Sequence, residues 1–271
     1  MNDQYTMLAK KAKQVRVLLL QTAFSAKSGH IGSALSTVDI ITALYFKILK
    51  LQPKNSLWGG RDIFILSKGH GVLGLYATLC LRGFFPKSVL ENYFKDGSVL
   101  AAHPVIRAVP GLEASTGSLG HGLPMGLGMA YAYRNDGKSN RVVVMLSDGE
   151  CDEGSTWEAV LAAGHLQMDN LVAVVDYNKF QGFGSVTEVL GLEPFADKWK
   201  AFNWNVLEID GHNMKKIDQA FSKAAASKKR PTVIIAHTVK GKGVSFMENT
   251  LDWHYLNLTP ELLEQAIGGL Q

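Results

Sequence analysis

The sequence predicts an α/β fold: a doubly wound, mostly parallel sheet with helices on both faces. Three observations carry that prediction. Short apolar runs alternate with segments of helical periodicity along most of the chain, the pattern of a sheet built from strand–helix–strand units. The runs are continuously apolar rather than alternating, as strands are when helices cover both faces. Polar clusters follow the runs directly, on the side where ligands bind such sheets, outside the carboxyl ends of the strands.

Taken in order, residues 3–27 are expected to be helical, because Leu8, Ala12, Val15, Leu18, Leu19 and Thr22 recur at helical spacing. A second helix is expected over 36–50 with Ser36 as its N-cap. Asp62–Leu66 is an apolar run ending in Ser-Lys-Gly-His-Gly, and a helix over 71–82 follows. Residues 95–118, with Pro104 and Pro110, read as a long loop, and a glycine-rich helix covers 122–134. Strand Arg141–Leu146 leads into Ser-Asp-Gly and a helix over about 155–167, where Ser155 and Glu158 have capping-box spacing. Strand Leu171–Val175 ends in Asp-Tyr-Asn; strand 204–209, helix 214–227 and strand Thr232–Ala236 complete the pattern.

Composition narrows the function. The chain has 271 residues, 46% hydrophobic and 19% charged, which excludes disorder as its main state and fits a single domain over 1–271. Net charge is +4, and the one basic run, Lys228-Lys229-Arg230, reads as a solvated helix end, so no nucleic-acid partner is expected. Two cysteines, Cys80 and Cys151, exclude a disulfide framework and suit a reducing compartment. No apolar run approaches the roughly 18 residues of a membrane span, and the N-terminus lacks a signal-peptide core. A cytoplasmic chain without a membrane partner is expected. Glycine is the outlier at 27 residues, about a tenth of the chain against a usual share of about 7%, and these glycines cluster at the polar loops.

Asp148 in Ser147-Asp148-Gly149 and Asn178, 30 residues later, each close an apolar strand. A carboxylate and an amide carbonyl are hard oxygen donors of the kind Mg²⁺ or Ca²⁺ takes, and Mg²⁺ completes its shell with water and phosphate. Gly149 would let a diphosphate approach the backbone. Glu150 and Asp152 read as acids complementing a first helical turn. Ser115–Gly122 is a glycine-dense loop opening a helix, but its spacing is not a dinucleotide fingerprint. Gly122, Gly126 and Ala130 read as close helix packing. Of eight histidines, His30, His70, His103 and His254 lie beside Gly, Pro or Trp, and imply a polar pocket for hydroxyls and phosphate. No spacing fits zinc. His121, His165 and His237 read as structural, and Lys240-Gly-Lys-Gly243, on its own, as a solvated turn.

Together these motifs resemble the thiamine diphosphate-binding, N-terminal domain of the transketolase family. The stretches that carry the resemblance are Ser28-Gly-His-Ile-Gly-Ser33, Arg61–His70, Ser115–Gly122, Ser147-Asp-Gly-Glu-Cys-Asp-Glu-Gly154, Asp176-Tyr-Asn-Lys-Phe180 and Trp253-His254, with Asp210-Gly-His212 similar as well. It runs from about residue 7 to 258. The resemblance implies that Asp148, Asn178 and the main-chain carbonyl of Phe180 hold Mg²⁺ (or Ca²⁺ or Mn²⁺) on the diphosphate. It implies that Ser33, His70, Gly149, Lys240 and His254 contact thiamine diphosphate, and that Gly117, Ser118 and Leu119 meet its aminopyrimidine through the backbone. His30, His103 and His254 would face the substrate as catalytic residues, and Glu153 matches a position at the contact between subunits. The activity implied is transfer of a two-carbon ketol unit from a ketose (phosphate) to an aldose (phosphate).

Two departures stand out. Ser147 occupies a position where the family usually has Gly. The chain also ends at Gln271, where the family continues into a pyrimidine-binding domain and a C-terminal domain. The expectation is therefore the N-terminal subunit of a split transketolase, paired with a C-terminal subunit that supplies the glutamate activating the cofactor, in an α₂β₂ assembly. Deoxyxylulose-phosphate synthases and two-subunit 2-oxoacid dehydrogenases use related domains, and a non-catalytic cofactor-binding module is a further alternative. The histidine loops and the Trp253-His254 ending favour transketolase.

Overall fold

Five strands, β1 (Ile63–Leu66), β2 (Val142–Ser147), β3 (Leu171–Tyr177), β4 (Asn205–Asp210) and β5 (Thr232–His237), form one sheet. Their order is β1-β2-β3-β5-β4 and every neighbouring pair is parallel in this computed structural model, which describes residues 3–270. The four strands predicted from the sequence are present, the apolar run at Asp62–Leu66 supplies a fifth, and the sheet is wholly parallel rather than mostly so. Register aligns their carboxyl ends: Ser147 lies opposite Asp176, and Asp176 opposite Ala236.

Among the described residues eleven α-helices surround the sheet: α1 (Asp3–Ala26), α2 (Ile31–Ser36), α3 (Val38–Ala43), α4 (Val72–Arg82), α5 (Lys87–Leu90), α6 (Gly122–Asn135), α7 (Gly154–His165), α8 (Val186–Val189), α9 (Phe195–Ala201), α10 (Met214–Ala226) and α11 (Pro260–Gly268). Alternate strand residues feed two cores. Phe64, Leu66, Val143, Met145, Val172, Val174 and Ile234 pack with α1, α3, α4 and α10. Ile63, Ile65, Val142, Val144, Leu171, Ala173, Val175 and Ile235 pack with α6, α7 and α9. Both faces are covered, which is why the strands read as unbroken apolar runs. Among the described residues no helix is long and apolar enough to cross a membrane.

Two local expectations are corrected. The helix expected over 36–50 is instead α2, α3 and a π-helical turn at Leu44–Ile48, broken at Thr37. Ser36 caps nothing, because its hydroxyl donates to Ser33 O at 3.0 Å and to Asp176 at 2.6 Å. The Ser155–Glu158 capping box does not form either. Glu153 holds the N-cap position of α7, and Ser155 Oγ instead donates to the Gly120 carbonyl at 2.9 Å. The close packing of α6 is as expected: a Cβ on Gly126 would overlap Val144 on β2, and one on Gly122 would overlap Ser67.

Candidate functional site

Parallel strands deliver the loops after β1, β2, β3 and β5 to one end of the sheet, and Asp176 ties three of them together. It is fully buried. Its Oδ2 accepts from Lys68 Nζ and Ser36 Oγ, both at 2.6 Å, and from Asn178 Nδ2 at 3.0 Å; its Oδ1 accepts from Thr238 Oγ1. Burial disfavours its charge, but the Lys68 cation and these hydrogen bonds hold its carboxyl below the ordinary range. Lys68 also donates to Ser33 O at 3.1 Å, fixing the 28–33 loop to the same centre.

Around this frame lie two buried charges that make no ion pair among the described residues. Asp148 accepts from the backbone N–H of Gly149 at 2.8 Å and of Lys179 at 2.6 Å. Burial, with the nearby Asp176 charge, pushes its carboxyl up to about 7. Asn178 Oδ1 accepts from Phe180 N at 3.0 Å, so the loop curls around a set of oxygens. Lys240 is fully buried; its Nζ lies 3.3 Å from Gln181 O, 3.2 Å from His254 Nδ1 and over the Phe180 ring, 5.8 Å from its centroid. Burial, then the Lys68 charge, pull its pKa down to about 8. A cation beside Asp148 and an anion beside Lys240 would relieve both. No three His, Cys, Asp or Glu side chains group into a metal site among the described residues. An ion at Asp148 would therefore draw on amide and carbonyl oxygens and on phosphate, the donor set Mg²⁺ accepts.

Three predicted histidines do converge. The ring centroids of His30, His70 and His254 lie 5.4, 5.0 and 5.5 Å apart pairwise. His30 sits in the left-handed region at φ 61°, and its N–H donates to His254 O at 2.9 Å. Ser33 Oγ and His70 Nε2 are 2.9 Å apart. His103 is placed by packing on Gly117 (φ +144°), where a Cβ would come 2.8 Å from its ring. Burial first, then neighbouring Lys or His charges, lower His30, His70 and His254, the last to about 3, and burial lowers His103. All four are neutral near pH 7 and able to accept hydrogen bonds.

The 115–121 loop closes the site. Gly69 packs 2.9 Å, measured from a would-be Cβ, against the Thr116–Gly117 peptide. Ser118 is exposed and Leu119 half-buried. Glu150, read from the sequence as an acid complementing a first helical turn, does lie in the first turn of a 3₁₀ helix, Gly149–Asp152, but is completely buried there. It accepts from Ser67 Oγ, from Gly120 N at 2.9 Å and from Ser147 N at 3.4 Å, binding three loops together. Burial pushes its carboxyl up to about 7. Asp152 lies in the same turn and also accepts from Gln181 Nε2 at 2.7 Å. Gly149 lies under that Gln181 side chain, which a Cβ would meet at 3.0 Å. Glu153 is exposed at the start of α7. His121, His165 and His237 are exposed and stay outside the cluster.

Residues 8–266 match the family model described as the transketolase thiamine diphosphate binding domain. The chain belongs to the transketolase family. It is 41% identical, over its whole length and 98% of the relative, to the 6-deoxy-6-sulfo-D-fructose transketolase subunit of Clostridium sp. (strain MSTE9). It is 42% identical, over 97% of this chain and 94% of the relative, to an apulose-4-phosphate transketolase subunit of Phocaeicola vulgatus. Campylobacter jejuni transketolase superposes with a TM-score of 0.93 at 31% identity, covering 100% of this chain and 43% of that one. The chain thus spans about two fifths of the solved transketolase and nearly all of the subunit-length relatives. It is a transketolase-type transferase subunit with the thiamine diphosphate-binding α/β fold.

This transketolase-family site has supports that the sequence motifs do not single out. Lys68 and Asp176 stand inside conspicuous motifs, yet their pairing spans 108 positions and leaves no local signal. His212 accepts from Val239 N at 2.8 Å through Nε2, which leaves Nδ1 to donate to Asp39 at 2.8 Å. Arg16 grips the same Asp39 with two bonds of 3.0 and 2.7 Å and donates to Lys242 O at 2.9 Å. Buried Arg16 and Asp39, with half-buried His212, hold the turn that carries Lys240.

Proposed function

We propose that this chain is the cofactor-binding half of a two-chain transketolase that moves a two-carbon ketol unit from a ketose to an aldose. The observation that carries the reading is the pair of buried, unpaired, opposite charges, Asp148 and Lys240, flanking Gly149 and Gln181 beneath the histidine cluster. That arrangement suits a diphosphate with a bound divalent cation. In this reading Asp148, Asn178 and the Phe180 carbonyl hold Mg²⁺, for which Ca²⁺ or Mn²⁺ substitutes. Ser33, His70, Gly149, Lys240 and His254 hold thiamine diphosphate, and the Gly117–Leu119 backbone meets its pyrimidine ring. Bound thiamine diphosphate supplies the carbon nucleophile of the reaction. The chain's own work is to position it and handle protons: neutral His30, His103 and His254 accept hydrogen bonds from sugar hydroxyls and take or return their protons.

The relatives named for apulose-4-phosphate and sulfofructose lead us to place the substrate among ketoses ending in an anionic group. A separate C-terminal subunit would complete the site and bring the activating glutamate, in an α₂β₂ assembly. The exposed apolar side chains Tyr131 on α6 and Leu161 on α7, 42% and 57% accessible, support a covering chain there, with Glu153 at its edge. Free Cys80 and Cys151 accord with a cytoplasmic setting. The test is a thiamine diphosphate titration, by near-ultraviolet circular dichroism, with and without Mg²⁺. Saturable binding that needs the metal, and is lost in Asp148→Ala, is the expected result. Binding indifferent to both would refute the reading.

A further inference from the structure

Tyr255 follows His254, and its surroundings give it more than a spacer's place. Its ring centroid lies 4.8 Å from that of His254 and 6.4 Å from that of His30. The residue is nevertheless 60% exposed, so one face of an aromatic ring opens beside two of the clustered imidazoles. The residue is held at both ends, through its backbone and through its hydroxyl. At one, Gly29 is packed against the Tyr255 carbonyl, 3.2 Å from a would-be Cβ, and His30 N–H donates to His254 O. At the other, Tyr255 OH donates to Gly182 O at 3.2 Å, on the loop whose Gln181 carbonyl is bonded by Lys240. A Cβ on Gly182 would come 2.9 Å from that hydroxyl, so Gly182 leaves the space that Tyr255 fills.

We propose that Tyr255 is a specificity-determining positioning residue: its ring is a platform, latched to Gly182, for the carbon chain of the sugar beyond the atoms that His30 and His254 address. The proposal rests on the transketolase reading of the site. A polyhydroxylated chain offers hydroxyls to the neutral histidines and its C–H face to the ring. An aromatic surface beside a few convergent polar groups is how compact sites fix such ligands. Longer sugars reach more of the platform, whereas a two-carbon aldehyde ends short of it. The ring acts on bound substrate and transition state alike, so its loss appears in KM rather than kcat.

The experiment measures kcat and KM for a two-carbon and a five-carbon aldose acceptor. It uses this chain assembled with its C-terminal subunit, thiamine diphosphate and Mg²⁺. Tyr255→Ala is expected to raise KM for the five-carbon acceptor about tenfold, the size of effect one lost apolar contact gives in a specificity pocket. Its kcat, the two-carbon KM and the cofactor titration stay within about twofold. Tyr255→Phe keeps the ring but loses the latch, and Gly182→Ala crowds the hydroxyl; each is expected to give a smaller shift, about threefold, in the same direction. An equal loss for both acceptors, a fall in cofactor affinity that accounts for it, or an unchanged KM ratio in Tyr255→Ala would overturn the proposal. A wild-type assembly that neither binds thiamine diphosphate nor transfers a ketol unit would instead remove the functional reading beneath it.

Discussion

At the scale of single residues, buried charge dominates the site. Lys240 carries a buried ammonium that meets a carbonyl and a neutral imidazole. Removing it as Lys240→Met takes away one charge-assisted contact to a phosphate, a loss of about 1.5–3 kcal/mol. Thiamine diphosphate should then bind about 10- to 100-fold more weakly, read by the same titration, while the melting temperature holds or rises because a buried charge has gone. His254→Ala should act differently. In its proposed role of handling protons beside the substrate, its loss is expected to lower kcat about 10²- to 10⁴-fold, with most of that loss remaining at saturating cofactor. Asp148 and Asn178 are legible in the sequence because each closes an apolar strand. The histidines are legible because Gly and Pro neighbours are unusual for them. Glu150 is not, since an acid in a first helical turn and an acid buried beneath three loops look the same until the 115–121 loop is in place.

At the scale of elements the informative contacts are those between segments. Arg16 on α1, Asp39 on α3 and His212 ahead of α10 meet in one buried cluster. Burial works against the Asp39 charge, but Arg16 and His212 outweigh it and bring the carboxyl down to about 2, from an ordinary 3.8. Its folded pKa is therefore depressed. The stability it contributes, about 2 kcal/mol, is present above pH 4 and lost as pH falls from about 4 to 2. Asp39→Asn should melt roughly 5–10 °C lower at pH 7, and its deficit against wild type should shrink when melting is followed down through that window. On the opposite face, Gly126→Val should force α6 off β2 and cost about 1–3 kcal/mol, measured by chemical denaturation. The strands are legible to within a residue or two because few structures besides a strand covered on both faces produce such short, continuous apolar runs. The break at Thr37 is not, because Ser36 has the local chemistry of a helix cap and is claimed by Asp176, 140 positions away. Helix α11 does carry a readable start, with Thr259 as N-cap followed by Pro260.

At the scale of the whole molecule, a wholly parallel sheet gathers four strand-end loops at one end, and the 28–33, 115–121 and 253–255 segments fold over to join them. This end holds the buried Asp148 and Lys240 and the cluster of His30, His70 and His254, and the α6–α7 surface leaves the side chains of Tyr131 and Leu161 exposed. Both features fit a chain that works against another. The fold and the family are legible in the sequence across nearly its whole length. The frame of Lys68, Asp176, Asp39 and Arg16 stays hidden because long-range pairing of buried charges has no local pattern. The most direct measurement of the central claim is ketol transfer from a ketose phosphate to an aldose phosphate. It is made with this chain by itself, with its C-terminal partner by itself and with the two mixed, each with thiamine diphosphate and Mg²⁺. Transfer in the mixture only, abolished by Asp148→Ala in this chain, is the predicted result. Equal turnover without the second chain, or a mixture that binds the cofactor and transfers nothing, would contradict it.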